Sequence, residues 1–462
     1  MRKHPTFARA IAALLVVSAL PAYGARGKAD FTTVVALGDS LTVGVVNQAT
    51  VITHQQYSWP AVLARQVGLR TDCVTDAPDC FQQAYISEPG ILPELVLNSI
   101  SPVSIGVKPG LGAPLNSGWP RPFNNLAVDG AEVADAIAVS GEGNERLSAP
   151  IVLRNLGSMV DQAVRLNPTF ILMWFGADDF FGTLQRANPA GLTPIADFVR
   201  DYGNVLDRLT AGAPNAGFVV GNLPADVTKV PLVNLLPTVL VNPATGQPLL
   251  DPAGRPIPLI GHLGGTTFGP LPPGSAILFT AAPLLARGFG IPAALAPFLP
   301  PLPDIGKPLP DEAVLTVAEI KQFNDRIAAY NSAIASLAAA KDIPVVDINS
   351  FFTRAAAGIH VGPFVFNLNY LTGGLISIDS AHPTDIGYTL IANEFIRTVN
   401  AAYKTKIPVA SIAPFLSNNG AFFGEDSRLL DPSTIQISPE ALDVLMAPIA
   451  TPPAKGRRRS VQ

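Results

Sequence analysis

The chain has 462 residues, 48% hydrophobic and 14% charged, so apolar material for a sizeable core is ample. A net charge of −4 with a pI of about 5.8 excludes the basic field that nucleic-acid binding requires. The mean hydropathy of +0.32 is high for a soluble enzyme and implies apolar surface turned toward lipid or a partner.

In chain order, the N-terminus reads first as an export signal. Arg2, Lys3 and Arg9 precede an apolar run from Ala10 to Leu20, and Pro21-Ala22-Tyr23-Gly24 offers small residues at the positions a signal peptidase reads. Cleavage is expected after Gly24. The run is too short to span a bilayer, and no cysteine follows the cleavage site to accept a lipid. The mature protein is therefore expected to be exported, periplasmic or extracellular; the alternative is an uncleaved membrane anchor.

Thr33-Val34-Val35-Ala36-Leu37 reads as a buried strand, and Gly38-Asp39-Ser40-Leu41 puts a serine at its exit. A short helix follows over 59–68, with proline in its first turn and glycine at its end. Cys73 and Cys80 lie close together in a polar stretch, a spacing that closes a small disulfide loop in an oxidising compartment. Two free buried thiols are the alternative, and a zinc site would need more ligands than this neighbourhood holds. Residues 88–122, rich in proline and glycine, are expected to form a long loop near the site entrance. A short strand then leads into the Gly130 segment, and a helix around 159–164 into the buried strand Phe170 to Phe175. Thr193-Pro194 opens a helix to about Leu209, and 217–220 is the next strand. This alternation predicts a parallel sheet with helices on both faces. Ligands bind such sheets beyond the carboxyl ends of the strands, where Ser40 and Asp178 fall.

The pattern breaks over 228–311, which is dense in proline and poor in charge. Val239-Leu240-Val241, a turn at Pro243-Ala244-Thr245-Gly246 and Pro248-Leu249-Leu250 read as a hairpin; Ala276-Ile277-Leu278-Phe279 is one of several apolar pieces beyond it. Two readings stand, a cap that turns an apolar wall toward the carboxyl end of the sheet or a packing subdomain remote from it. Thr316-Val317-Ala318-Glu319 is a capping-box pattern, and Ile320, Phe323, Ile327, Tyr330, Ile334 and Leu337 follow at helical spacing. Pro344 to Ile348 reads as the last central strand. Asp379-Ser380-Ala381-His382-Pro383 precedes a helix from Thr384 to about Val399. The stretch after Lys404 has no clear pattern, and the basic end, Lys455 and Arg457 to Arg459, reads as a solvated tail. His54, His262 and His360 stand alone without metal-ligand spacing and read as loop or surface residues; Asp39 and Asp129 read as local turn carboxylates.

A serine hydroxyl is a poor nucleophile unless a base takes its proton, and an imidazole base needs a carboxylate to fix its tautomer. Ser40, His382 and Asp379 supply these three groups. The order Ser, Asp, His differs from the chymotrypsin and subtilisin orders, and the last two lie only three residues apart. With Asn124 to Ala131 and Gly176-Ala177-Asp178-Asp179 between them, the motifs resemble those of the GDSL, or SGNH, hydrolases. The resemblance implies a three-layer α/β/α sandwich with a parallel, flavodoxin-like sheet and no cofactor or metal. It implies that Ser40 attacks an ester carbonyl, that His382 moves its proton and that Asp379 orients His382. The oxyanion would sit against the backbone N–H groups of Ser40 and Gly130, with a third donor from an asparagine that is Asp178 here. An ionised carboxylate only accepts, whereas a protonated one can donate. The expected partner is an ester or lipid-like small molecule, with peripheral contact to lipid; the oligomeric state stays open. The expected division is a signal peptide over 1–24, a hydrolase domain over 25–227 and 312–403, the insertion over 228–311 and a C-terminal extension over 404–462. A carbohydrate O-deacetylase with an open polar cleft, or a non-catalytic protein binding an acylated ligand, are the alternatives.

Overall fold

The computed structural model of the chain describes residues 25–142, 146–242, 245–416 and 435–447. Strand β1 (Val34–Gly38) is buried on both faces, and its side chains alternate between two cores as the two-residue period of a strand requires. Val34 and Ala36 enter one core, Val35 and Leu37 the other. β2 (Phe170–Trp174), β3 (Gly217–Gly221) and β4 (Val345–Val346) complete a central sheet of order β1-β2-β3-β4, parallel throughout. The signal and the basic tail expected at the two ends lie outside the described residues.

The helices that frame the sheet are, in chain order, α1 (Ser40–Val43), α2 (Trp59–Gln66), α3 (Met159–Arg165), α4 (Asp178–Leu184), α5 (Ile195–Gly212), α6 (Val317–Ala339), α7 (Ile348–Ala357) and α8 (Asp385–Tyr403). α2, α7 and α8 bury their apolar faces with Val34, Leu172 and Trp174, where Trp59 stacks on Phe395 at 3.9 Å between ring centroids. α3, α5 and α6 cover the opposite face, where Phe198 stacks on Tyr330 at 4.1 Å. The capping box of α6 is formed: Thr316 Oγ1 accepts from Glu319 N, and Thr316 N donates to Glu319 Oε2 at 2.8 Å. Its stripe from Ile320 to Ile334 is buried. α5 runs past the expected Leu209 to Gly212, because nothing breaks it until the residue before Pro214.

The segment at 124–128 forms isolated β-bridges at Asn125, to Ala36 and to Gln83, rather than the expected short strand. It nevertheless runs along the free edge of β1. Ala36 N donates to Asn124 O at 2.8 Å, Leu126 N to Ala36 O at 2.9 Å and Val128 N to Gly38 O at 3.1 Å. The chain thus leaves β1 to flank it on one side and returns as β2 on the other. That reversal makes the carboxyl end of β1 the point where an open α/β sheet forms a crevice.

Three expectations need correction or completion. Residues 88–122 are not merely a loop: Leu95–Ile100 and Val103–Val107 pair as an antiparallel hairpin. A returning C-terminal strand, Gln436–Ile437, adds to it in parallel, followed by a helix over Pro439–Met446. Strand partners this remote in sequence leave no local signature. In the insertion, bridges join Val241 to Pro248 and Val239 to Pro258, while Pro243 and Ala244 of the expected turn lie outside the described residues. Leu278 and Phe279 form no open wall. Both are 0% exposed in the core that holds Phe323 and Ile327, and Phe279 lies 5.2 Å from the Tyr370 ring. Among the described residues no helix is long and apolar enough to cross a membrane.

Because Phe279 is fully buried in this core, Phe279→Ala should cost about 3–5 kcal/mol. The urea midpoint of the variant measures this. An unchanged midpoint would show that the 228–311 segment does not share the core.

Candidate active site

The site begins with the way β1 ends. Gly38 packs so tightly that a Cβ there would meet Thr42 Oγ1 at 2.2 Å and Trp174 O at 2.4 Å, which only glycine avoids. Asp39 then caps α1: Oδ1 accepts from Leu41 N at 3.1 Å. Its other oxygen accepts from Ala177 N at 3.2 Å, tying the exit of β1 to that of β2. The local turn role read for Asp39 is therefore present, together with a cross-strand one. Ser40, the first residue of α1, is held at the carboxyl edge of the sheet and is 4% exposed.

Asp379 and His382 arrive on a turn closed by Ser380 N donating to Ser377 O at 3.0 Å and Ser377 N to His382 O at 2.8 Å. Ser380 takes a left-handed φ of 71° within it. The Asp379 Oδ1 accepts from Ala381 N at 2.9 Å and His382 N at 2.8 Å. Its Oδ2 accepts from Gln48 N at 2.8 Å and lies 2.9 Å from His382 Nδ1. His382 Nε2 lies 3.0 Å from Ser40 Oγ. The insertion supports this turn from behind, where Leu232 N donates to Ser380 O at 3.0 Å.

Electrostatics follow from burial. Burial opposes the Asp379 carboxylate, but His382 and the N–H groups of Ala381 and His382 outweigh it and lower its pKa. Burial likewise opposes the imidazolium of His382; the charge and hydrogen bond of Asp379, with Asp129 and Asp39, prevail and raise its pKa. Burial pushes Asp39 up to about 7, against the Leu41 and Ala177 N–H groups, and Asp129 up to about 6. Asp178, at the start of α4, is raised well above the carboxylate range by burial and then by Asp39 and Asp129. Its Oδ2 is buried without a hydrogen-bond partner among the described residues. Asp179 is structural in its contacts, with Oδ2 accepting from Val133 N at 3.0 Å. Gly130 takes a φ of 75°, and among the described residues neither its N–H nor that of Ser40 has an acceptor.

Cys73 and Cys80 are joined as a disulfide, with Cα atoms 6.1 Å apart. No group of histidine, cysteine and acidic side chains able to hold a metal occurs among the described residues. The histidines need a correction. His54 lies between Glu94 and Asp385, and His262 is 6% exposed with Nε2 2.9 Å from Gly265 O and Nδ1 beside Asp311. Only His360 fits the surface reading. Sequence reasoning also missed Asn47, Gln48 and Asn124, whose partners are remote in sequence; Asn124 Nδ2 donates to Val34 O at 2.8 Å.

Among curated protein sequences none matches the chain. Similar solved structures include a phospholipase A1 from Streptomyces albidoflavus NA297, at 14% identity and a TM-score of 0.33 over 82% of this chain and 100% of that one. A lipase/acylhydrolase from Enterococcus faecalis is 11% identical, with a TM-score of 0.31 over 81% of this chain and 98% of that one. A Clostridium thermocellum family 3 carbohydrate esterase is 14% identical, with a TM-score of 0.30 over 80% and 96%. The family model for GDSL-like lipase/acylhydrolase matches residues 34–395, from the first residue of β1 into α8. The chain belongs to the GDSL-like lipase/acylhydrolase family.

Proposed function

We propose that the protein is an exported serine ester hydrolase that works through an acyl-enzyme on Ser40. The observation that carries this reading is the continuous buried chain from Asp379 through His382 to Ser40, with contacts of 2.9 and 3.0 Å. Ser40 Oγ attacks the ester carbonyl while its proton passes to His382 Nε2. The tetrahedral intermediate collapses, the proton goes to the leaving alkoxide, and water then repeats the sequence to release the acid. The acceptor-free N–H groups of Ser40 and Gly130 support an oxyanion site. Asp178 adds a third donor when protonated, a state that its burial among carboxylates favours.

The Cys73–Cys80 disulfide supports an oxidising, extracytoplasmic setting.

A fluorophosphonate should label Ser40, and Ser40→Ala should abolish labelling and lower p-nitrophenyl acetate hydrolysis by at least about 10³-fold. Adding His382→Ala to that variant should cost little more, because the groups serve one step. Full esterase activity in Ser40→Ala would remove the reading.

The pH profile should be bell-shaped. Activity rises as pH passes the raised pKa of His382, since the base must be neutral, and falls as pH passes the raised pKa of Asp178, since ionisation removes a donor. Asp178→Asn keeps a neutral donor at every pH, so its rate should hold on the alkaline limb and exceed wild type there by up to about 10²-fold. A variant slower than wild type at every pH would show that the Asp178 carboxylate has a different, positive role.

A further inference from the structure

His54, in a short helix over Ile52–Gln55, lies outside the Ser40 chain yet contacts the segment that carries the turn of Asp379 and His382. Its Nδ1 is 3.0 Å from both oxygens of Asp385, and its Nε2 is 3.1 Å from Glu94 Oε1. Both ring nitrogens therefore face carboxylates, an arrangement in which both must donate, and only the protonated ring carries two donors. Asp385 opens α8, three residues after His382. Glu94 precedes the 95–107 hairpin, and Lys108, which follows that hairpin, pairs with Glu94 and, at 2.9 Å, with Glu88.

From Glu94 the network continues to the catalytic turn. Asn47 Nδ2 donates to Glu94 Oε1 at 2.8 Å, while Asn47 Oδ1 accepts from Ile378 N at 3.3 Å. The Asn47 backbone N–H donates to Ser377 Oγ at 3.1 Å. Gln48 N then reaches Asp379 Oδ2, the oxygen that faces His382. Asn47 and Gln48 hold left-handed φ values of 52° and 63°, a conformation that surrounding contacts must over-determine. The cluster thus grips both ends of 377–385, the segment that delivers Asp379 and His382 to Ser40.

We propose that His54, as an imidazolium, is a positioning residue: through Glu94, Asn47 and Asp385 it holds the turn of Asp379 and His382 in register with Ser40. This rests on the reading of those three residues as the reacting groups. The charged groups facing His54 are Asp385 from α8 and Glu94 from the hairpin side, with Lys108 and Glu88 behind Glu94. Burial works against its charge, but Asp385 and Glu94 outweigh this and raise its pKa to about 9. Glu94 is also buried, yet His54, Lys108 and Asn47 lower it to about 2. Burial raises Asp385, and His54 opposes that rise. A group whose folded pKa is raised gives support that is complete below its unfolded value and lost as pH climbs through the folded one. The grip should therefore fail as pH passes about 9.

The test is the second-order rate of fluorophosphonate labelling of Ser40, on both sides of pH 9, in full-length wild type, His54→Gln and Asn47→Gly. His54→Gln removes the charge. Asn47→Gly tolerates the φ of 52° and removes only the side-chain link from Glu94 to Ile378. At neutral pH both should label at least about tenfold more slowly, against the ~100-fold that a 1 Å misplacement can cost. The ratio of wild-type to variant rate should then fall toward one above pH 9, as wild type loses the same grip. Contributions from His382 and Asp178 are common to all three proteins and cancel in the ratio. A ratio of one at neutral pH, or a ratio that does not change with pH, overturns the inference; the second result means a purely structural role. If one variant lacks the native near-ultraviolet circular dichroism the other decides. Loss of it in both means that the cluster holds the fold rather than the alignment, which also overturns the inference. Unlabelled Ser40 in wild type would instead remove the hydrolase reading, and this inference with it.

Discussion

The site depends on how the Asp379 carboxylate is surrounded. One oxygen takes the N–H groups of Ala381 and His382, the other takes Gln48 N and faces His382 Nδ1. A carboxylate so surrounded is ionised and fixed in direction, which fixes the tautomer of His382 and aims Nε2 at Ser40. The donor from Gln48 has the longest reach, because it fastens the turn of Asp379 and His382 to the loop just after α1. It acts together with Leu232 N on Ser380 O and Asn47 on Ser377 and Ile378, which hold the same turn from other segments.

Around this pair the protein concentrates carboxyl groups, with the buried Arg146 as the cation that partly offsets Asp129 and Asp178. Asp39, Asp129 and Asp178 are all buried, and burial raises each of them. Asp39 is committed to two backbone donors that join the exits of β1 and β2. Asp178 has an oxygen without a partner among the described residues. Crowding of like charges in a dry site favours protonation, so a carboxyl can take over the part of a neutral donor. Asp379 first, and then Asp129 and Asp39, raise the pKa of His382 against its burial.

The insertion and the C-terminal return look peripheral in sequence but are continuous with the core. Ile277, Leu278 and Phe279 are fully buried, and Leu232 N holds the carbonyl of Ser380. Apolar, proline-rich sequence is here a packing element behind the turn. Proline content signals broken secondary structure, but it does not say which surface the broken pieces cover.

What the sequence determined by itself is local. The two-residue alternation of β1, the apolar run of β2, the capping box at Thr316 and the stripe from Ile320 to Ile334 are written in short windows, because hydrophobic period and caps act over a few residues. The motifs at Ser40, Gly130, Asp178 and His382 are legible for the same reason, each being a turn that closes an element. What only the tertiary structure decided are pairings between remote segments: Gln48 with Asp379, Asn124 with β1, Gln436–Ile437 with the hairpin. His54 is the sharpest case. Nothing within a window around it marks it, and its charge state is set by Glu94 and Asp385, 40 and 331 residues away. A side chain's pKa follows from what surrounds it in space, and that neighbourhood exists only once the chain has folded.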